Sequence, residues 1–328
     1  MTPSAPAAIL TALSTVAASF LLAACGGSPG GGSASAGNGA SAPKREMPRV
    51  VCTTPMVGDL VRSVAGDAGI EVVVLVAPGV DPHLWTPTRT EVVEILECDA
   101  LFLNGLMLEG RAGEAFARVE QSGRPVVRVA ETLPKADLAL DPANSSYFDP
   151  HVWMDPQLWA KTAPAVAEGL SKVLPAKRET FVANAGRFAS DSAALDAEIR
   201  TAMGTVPFAS RTLVTAHDAF GYFGRRYDLR VRGLQGISTE SEPSLADIEA
   251  LVAFLSDERV PAVFTETTVS DRGLRALVEG CAARGHELRL GPALYSDSLA
   301  RPTVAEGTWA GMMRHNAKSI VEALGGRW

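Results

Sequence analysis

Short apolar runs alternate with helical patterns in two blocks, and a stretch of pure helical periodicity lies between them. This arrangement constrains the fold more than any single motif. In the first block the runs at 50–53, 70–76, 101–103 and 126–129 read as buried strands. A helical pattern follows the first of them at 57–64. Thr88-x-x-Glu91 then reads as a capping box, opening a helix whose buried stripe is Val92, Ile95 and Leu96. From 156 to 203 strand signals vanish. Val166, Leu170, Val173 and Leu174 form one stripe that stops near Pro175, and Phe181, Phe188, Leu195 and Ile199 form another on a helix starting at about Lys177. A helix of about 27 residues spans roughly 40 Å, enough to cross from one lobe to another. Alternation then resumes, with strand-like runs at 212–215, 229–234, 262–265 and 287–290, a helix opened by Ser244-x-x-Asp247 and a terminal helix at 304–324. The pattern predicts an α/β protein of two parallel-sheet lobes joined by a long helix.

Length agrees with two lobes, because 328 residues exceed one ordinary core and suit two domains of roughly 130 residues plus extras. Charge excludes one class of partner. The net charge is −7 and no Lys/Arg stripe is present, so nothing supports nucleic-acid binding.

The extras lie at the N-terminus. Residues 7–24 are uncharged, small and apolar, too short and Ala-rich for a spanning helix but suited to a secretory segment. They end in Leu22-Ala23-Ala24-Cys25, which resembles the bacterial lipobox, where cleavage leaves a lipidated cysteine as the first residue. Residues 1–6 lack the usual Lys or Arg. The Gly/Ser/Ala-rich stretch that follows is a flexible tether. The expected organisation is a lipoprotein signal at 1–25 with lipidated Cys25, a linker at 26–47, an N-terminal α/β lobe at 48–155, a helical region at 156–205 and a C-terminal α/β lobe at 206–328. Cys52, Cys98 and Cys281 remain, an odd number without a CxxC, so at most one disulfide can form and a metal or redox centre is not indicated; Cys52 and Cys98, beside apolar runs, read as buried thiols.

Three of the five histidines sit in unusual settings. His83 lies in Asp81-Pro82-His83-Leu84-Trp85, within a Pro/Gly loop after a strand. His151 lies in Asp149-Pro150-His151-Val152-Trp153, just before the helical region. His217 follows the strand at 212–215 directly, and Asp297 lies a few residues past another strand end. Open α/β sheets bind ligands at the carboxyl ends of their strands, so two such residues from each lobe suit a site in the crevice between lobes. Alone, a loop histidine is more often a surface or hydrogen-bonded residue, and Asp297 on its own reads first as a helix N-cap. The repeated Asp-Pro-His-(Leu/Val)-Trp is harder to set aside. Proline fixes the backbone before the imidazole, and a tryptophan two residues on can wall the site from water. Asp81, Asp149, Asp155 and Asp218 are candidates to accept the second imidazole N–H, with turn caps or surface charges as the alternative. His286 and His315 fit no motif and read as structural. Glu240, Glu242 and Glu266 read as inter-lobe or cap contacts.

These segments, together with Leu103-Asn104-Gly105-Leu106, Thr215-Ala216-His217-Asp218-Ala219-Phe220-Gly221-Tyr222-Phe223, Gly236-Ile237-Ser238-Thr239-Glu240 and Tyr295-Ser296-Asp297-Ser298, resemble the solute-binding lipoproteins of bacterial zinc and manganese ABC importers. The resemblance runs from about Arg49 to the C-terminus. It implies two four-stranded lobes, one rigid linking helix and a divalent metal in the cleft, held by His83, His151, His217 and Asp297. It further implies a non-enzymatic, extracytoplasmic monomer, lipid-anchored to the membrane in the periplasm or at the cell surface, that delivers metal to an ABC permease. Residues 134–147 carry no histidine-rich loop, unlike many zinc-specific members. Three imidazoles and a carboxylate favour Zn²⁺ over Mn²⁺, with Fe²⁺ admissible; a bidentate Asp297 would shift the balance toward Mn²⁺ or Fe²⁺. The contrasting readings are a secreted zinc-dependent hydrolase, which needs an open metal position and a general base, and a structural or adhesive lipoprotein stabilised by its metal.

Overall fold

A computed structural model of the chain describes residues 46–328. The expected signal segment, Cys25 and nearly all of the tether lie outside the described residues. The first sheet contains β1 (Arg49–Cys52), β2 (Glu71–Val74), β3 (Ala100–Leu103) and β4 (Val126–Arg128), in the order β2-β1-β3-β4 and parallel throughout. Its connections carry α1 (Pro55–Ala65), α2 (Arg89–Glu97) and α3 (Gly113–Gln121). Helices on both faces explain why β3 is buried along its whole length and reads as an unbroken apolar run. The expected capping box is present: Glu91 N–H donates to Thr88 Oγ1 and Thr88 N–H donates to Glu91 Oε2 at 2.6 Å. Such a cap contributes about 1 kcal/mol.

The second sheet repeats the first. It is built from β5 (Thr212–Thr215), β6 (Arg230–Gly233), β7 (Ala262–Glu266) and β8 (Arg289–Leu294), in the order β6-β5-β7-β8 and again parallel. Its helices are α6 (Gly221–Tyr227), α7 (Leu245–Asp257) and α8 (Arg272–Ala283) in the connections. Ser244 and Asp247 form the second expected capping box. Between the sheets lie α4 (Pro156–Val173) and the 26-residue α5 (Arg178–Met203), about 39 Å long at 1.5 Å per residue.

One element differs from expectation. The terminal helix α9 spans only Trp309–Ala323, because Ala305–Gly307 forms a separate 3₁₀ turn and Thr308 caps the helix through its hydroxyl. Asp297 therefore caps no helix. The helix α9 packs on α5 and α1, and Trp309 N–H donates to Asp59 Oδ2 of α1 at 2.9 Å. A single apolar cluster consequently runs from Val50 and Phe102 through α4, α5 and α9 to Phe223 and Phe264. Trp153, Trp159 and Trp309 are fully buried in it. Outer clusters flank each sheet, one around Ile95 and Phe116 and the other around Leu255 and Leu277. Cys52, Cys98 and Cys281 are buried and form no disulfide.

Candidate metal centre

The repeated Asp-Pro-His has one local explanation. Asp81 Oδ1 accepts the His83 N–H at 2.8 Å, and Asp149 Oδ1 accepts the His151 N–H at 2.9 Å. Each is a tight turn in which an aspartate two residues back takes the histidine's backbone hydrogen, while the proline between them sets φ. Both turns aim an imidazole into the crevice. His217 leaves β5 directly, and its N–H donates to Glu266 Oε1 at 2.8 Å, at the end of β7. That turn passes against Gly233, where an added Cβ would come within 2.4 Å of Asp218 N. Asp297 follows β8, and the Ser296 carbonyl beside it accepts the Trp153 indole N–H at 2.9 Å.

The four residues converge. Asp297 Oδ2 is 3.0 Å from His217 Nε2 and 3.8 Å from His83 Nε2, and Asp297 Oδ1 is 3.3 Å from His151 Nε2. His83 Nε2 and His151 Nε2 are 3.3 Å apart, and all four donor atoms lie within 4.8 Å of one another. Zn–N bonds of about 2.0–2.1 Å place the corners of a tetrahedron about 3.3 Å apart, so the spacing matches a shared cation. His151, His217 and Asp297 are fully buried, and His83 is 7% exposed. Among the described residues, His217 Nε2 and both Asp297 oxygens are buried without a directed hydrogen bond. Leaving such atoms unsatisfied is costly unless an ion uses them.

Two carboxylates stand behind the imidazoles. Asp149 Oδ1 hydrogen-bonds His151 Nδ1 at 2.7 Å, and Glu266 Oε2 approaches His217 Nδ1 at 2.6 Å. With Nδ1 engaged, Nε2 is the nitrogen offered to the crevice. Burial alone would lower both imidazole pKa values, but the neighbouring carboxylates overcome it. They raise His151 to about 9 and His217 well above its usual value. Among the described residues no carboxylate pairs with His83 Nδ1, and burial lowers the His83 pKa to about 3. Burial likewise opposes ionisation of Asp297, yet the charges of His217 and His151 hold it well below the usual carboxylate range. Metal ligands bind in their deprotonated forms, so metal binding at such a centre is linked to proton release.

Of the four flanking aspartates considered from sequence, only Asp149 supports an imidazole. Asp81 caps its own turn and accepts from Thr239 Oγ1 at 2.6 Å, and Asp155 caps α4 through the N–H groups of Gln157 and Leu158. One of the two tryptophans also departs from expectation. Trp153 packs edge-on against His151 with ring centres 5.2 Å apart, whereas Trp85 turns into the outer cluster beside Ile95 and Phe116. Glu266 was read as a cap or inter-lobe contact and is instead the carboxylate behind His217. Its signal was present: it ends a strand, as the candidate ligands nearly do. Glu240 bridges the lobes to the Arg111 guanidinium at 2.9 Å, and His286 and His315 hydrogen-bond the carbonyls of Val260 and Ala293. Beside His83 opens a mouth of about 350 Å³, lined also by Met107, Arg111, Tyr147, Ile237 and Glu240.

The profile of the family described as "ZnuA: Zinc-uptake complex component A periplasmic" matches residues 50–323. The chain belongs to this ZnuA family. Its relatives include the zinc-binding protein TroA of Treponema pallidum, 42% identical over 279 residues, covering 84% of this chain and 89% of that protein. The manganese-binding lipoprotein MntA of Bacillus subtilis is 35% identical over 307 residues, 94% of this chain and 96% of its own. Among solved structures, periplasmic TroA superposes with a TM-score of 0.81 at 40% identity, covering 85% of this chain and 99% of that one. Fe(III)-bound YtgA of Chlamydia trachomatis gives 0.75 at 28% identity, covering 85% and 98%. ZnuA-family likeness therefore covers both lobes and the linking helices.

Proposed function

We propose that this chain is the extracytoplasmic substrate-binding protein of a metal ABC importer, in which His83, His151, His217 and Asp297 capture one divalent transition ion for a membrane permease. The observation that carries the reading is the convergence of three imidazole nitrogens and a carboxylate on one buried point, with two further carboxylates orienting the imidazoles. The ion is cargo. Zinc is favoured at equilibrium, since three nitrogens and one oxygen suit its tetrahedral preference and zinc exceeds manganese in intrinsic affinity. Both oxygens of Asp297 face the crevice, so a bidentate carboxylate can also serve the higher coordination of Mn²⁺ or Fe²⁺. The relatives divide in the same way, one named for zinc, one for manganese and one solved with Fe(III).

A hydrolytic zinc keeps one position open and needs a free general base. Here four protein donors surround the point, and the nearby Asp149 and Glu266 carboxylates are committed to imidazoles. Binding without catalysis is the better reading. The protein acts as a monomer, held to the membrane by lipid on Cys25.

Two measurements test this. Calorimetric titration of metal-stripped protein should give one divalent ion per chain, tighter for Zn²⁺ than for Mn²⁺. Asp297→Ala should weaken both by more than the roughly 10–100-fold that loss of an outer partner costs. Unchanged affinity would remove Asp297 from the site. Fractionation of cells expressing Cys25→Ser should move the protein from the membrane to the soluble fraction, and retention on the membrane would sink the lipid anchor.

A further inference from the structure

Among the described residues the Leu103-Asn104-Gly105-Leu106 segment makes no hydrogen bond to a candidate ligand side chain, yet its backbone is strained. Gly105, Leu106 and Met107 all have left-handed backbone, with φ of 83°, 53° and 67°. For the two residues with side chains this conformation is strained and persists only where the surroundings enforce it. Two carboxylates do so. Glu131 Oε1 accepts the Leu106 N–H at 3.0 Å from outside. Glu109 works from inside, 3% exposed, with no Lys or Arg ion pair among the described residues. Its Oε1 accepts from Thr53 Oγ1 at 2.6 Å and from the Asn104 N–H at 2.8 Å, and its Oε2 accepts from the Gly105 N–H at 3.1 Å. These donors come from the carboxyl ends of β1 and β3, so one buried carboxylate ties two strand ends to the turn.

The turn leads to the ligands by two routes. Asn104 Nδ2 donates to the Pro150 carbonyl at 3.0 Å, and that carbonyl belongs to the peptide bond entering His151. Asn104 is fully buried, and among the described residues its Oδ1 accepts no hydrogen bond. An amide buried at that cost is explained by what its other half holds. On the second route, Leu106, Met107 and Leu108 wall the mouth that opens on His83, with Met107 65% exposed.

We infer that Glu109 is a positioning residue of the metal centre: it holds the Asn104–Met107 turn, and through that turn it fixes the peptide bond entering His151 and the wall beside His83. The inference rests on the proposed function. A carboxylate suits the position because three donors converge on it and it accepts from all of them without donating. Glutamine would turn an N–H₂ group toward one of those donors.

The test uses Glu109→Gln and Asn104→Ala in the otherwise intact protein. The Co²⁺-substituted d–d absorption reports ligand geometry, and stopped-flow transfer of Zn²⁺ to a chelator reports release. Both variants should release Zn²⁺ about tenfold faster and alter the intensity of the Co²⁺ bands, an effect at the lower end of what removal of an outer partner produces. Asn104→Ala leaves the Glu109 carboxylate bonded to its three donors, so it decides the matter if Glu109→Gln fails to fold. Wild-type spectra and release rates in Asn104→Ala, or in Glu109→Gln with only its melting temperature lowered, would overturn the inference and leave Glu109 a structural residue. Wild-type protein that binds neither ion would overturn the functional reading itself, and this inference with it.

Discussion

The two Asp-Pro-His turns share a local sequence and a local hydrogen bond but end in different surroundings. In the second turn Asp149 serves twice, since one oxygen takes both the His151 backbone N–H and its Nδ1. Trp153 packs against the ring, and Tyr222 from the other lobe donates its hydroxyl to the Asp149 carbonyl at 2.9 Å. Every part of that turn is buried. In the first turn Asp81 holds only the backbone of His83 and reaches across the crevice to Thr239, while Trp85 faces away. Gly79 N–H donates to Ser298 Oγ at 2.8 Å, another contact between lobes at that side. The same five-residue pattern thus builds a fixed anchor at the back of the crevice and a lobe-to-lobe latch at its mouth. A motif sets how its own turn is made; the packing around it decides what the side chains then do.

The sharpest way to break this comparison is to remove each imidazole. His151→Ala and His83→Ala each delete a proposed ligand, and both should abolish tight binding. Only His151→Ala should also damage the metal-free protein, because it leaves the buried Asp149 charge without its partner. Loss of one member of a buried pair costs about 3–5 kcal/mol. His83 has no carboxylate behind it and borders the mouth, where water can take its place. Thermal melts of the stripped proteins should show a marked drop for His151→Ala and a value near wild type for His83→Ala. Equal drops would mean the two turns carry equal structural weight, and the anchor and latch would not be distinct.

Most of the fold was legible from the sequence because parallel strands buried on both faces leave unmistakable apolar runs, and because Thr88/Glu91 and Ser244/Asp247 announce helix starts within four residues. The terminal helix was overextended because Val304 and the residues after it look helical until Thr308 resets the cap. The candidate ligands were legible to different degrees. His83 and His151 stand in a repeated motif and His217 directly follows a strand, whereas Asp297 leaned on the family resemblance. Glu266 was misassigned for a physical reason. Its partner His217 is 49 residues away, and the pairing exists only because β5 and β7 are neighbours in the sheet. Trp85 failed in the opposite sense, since its motif predicted a role that the apolar cluster beside α2 and α3 overrode. Local spacing reports turns and caps reliably; the supporting shell of a site assembled from strand ends is written in the topology.

A finer separation of the two turns comes from neutralising their aspartates without changing their shape. Asp149→Asn keeps an oxygen able to accept from the His151 backbone and ring, so the geometry survives while the negative charge behind the imidazole is lost. That charge offsets the positive charge an ion brings to Nε2, and affinity for Zn²⁺ should fall by about 10–100-fold. Asp81→Asn should be nearly silent. Its oxygen still accepts the His83 N–H, and its new N–H₂ can donate to the Thr239 hydroxyl, which accepts as readily as it donates. Asp81 also has no ring nitrogen to support, since it accepts only from the His83 backbone and Thr239. Calorimetry on the two variants should therefore give one large loss and one affinity close to wild type. A comparable loss for Asp81→Asn would show that the latch contributes its charge to the ion, and that the two halves of the repeat differ in exposure but not in chemistry.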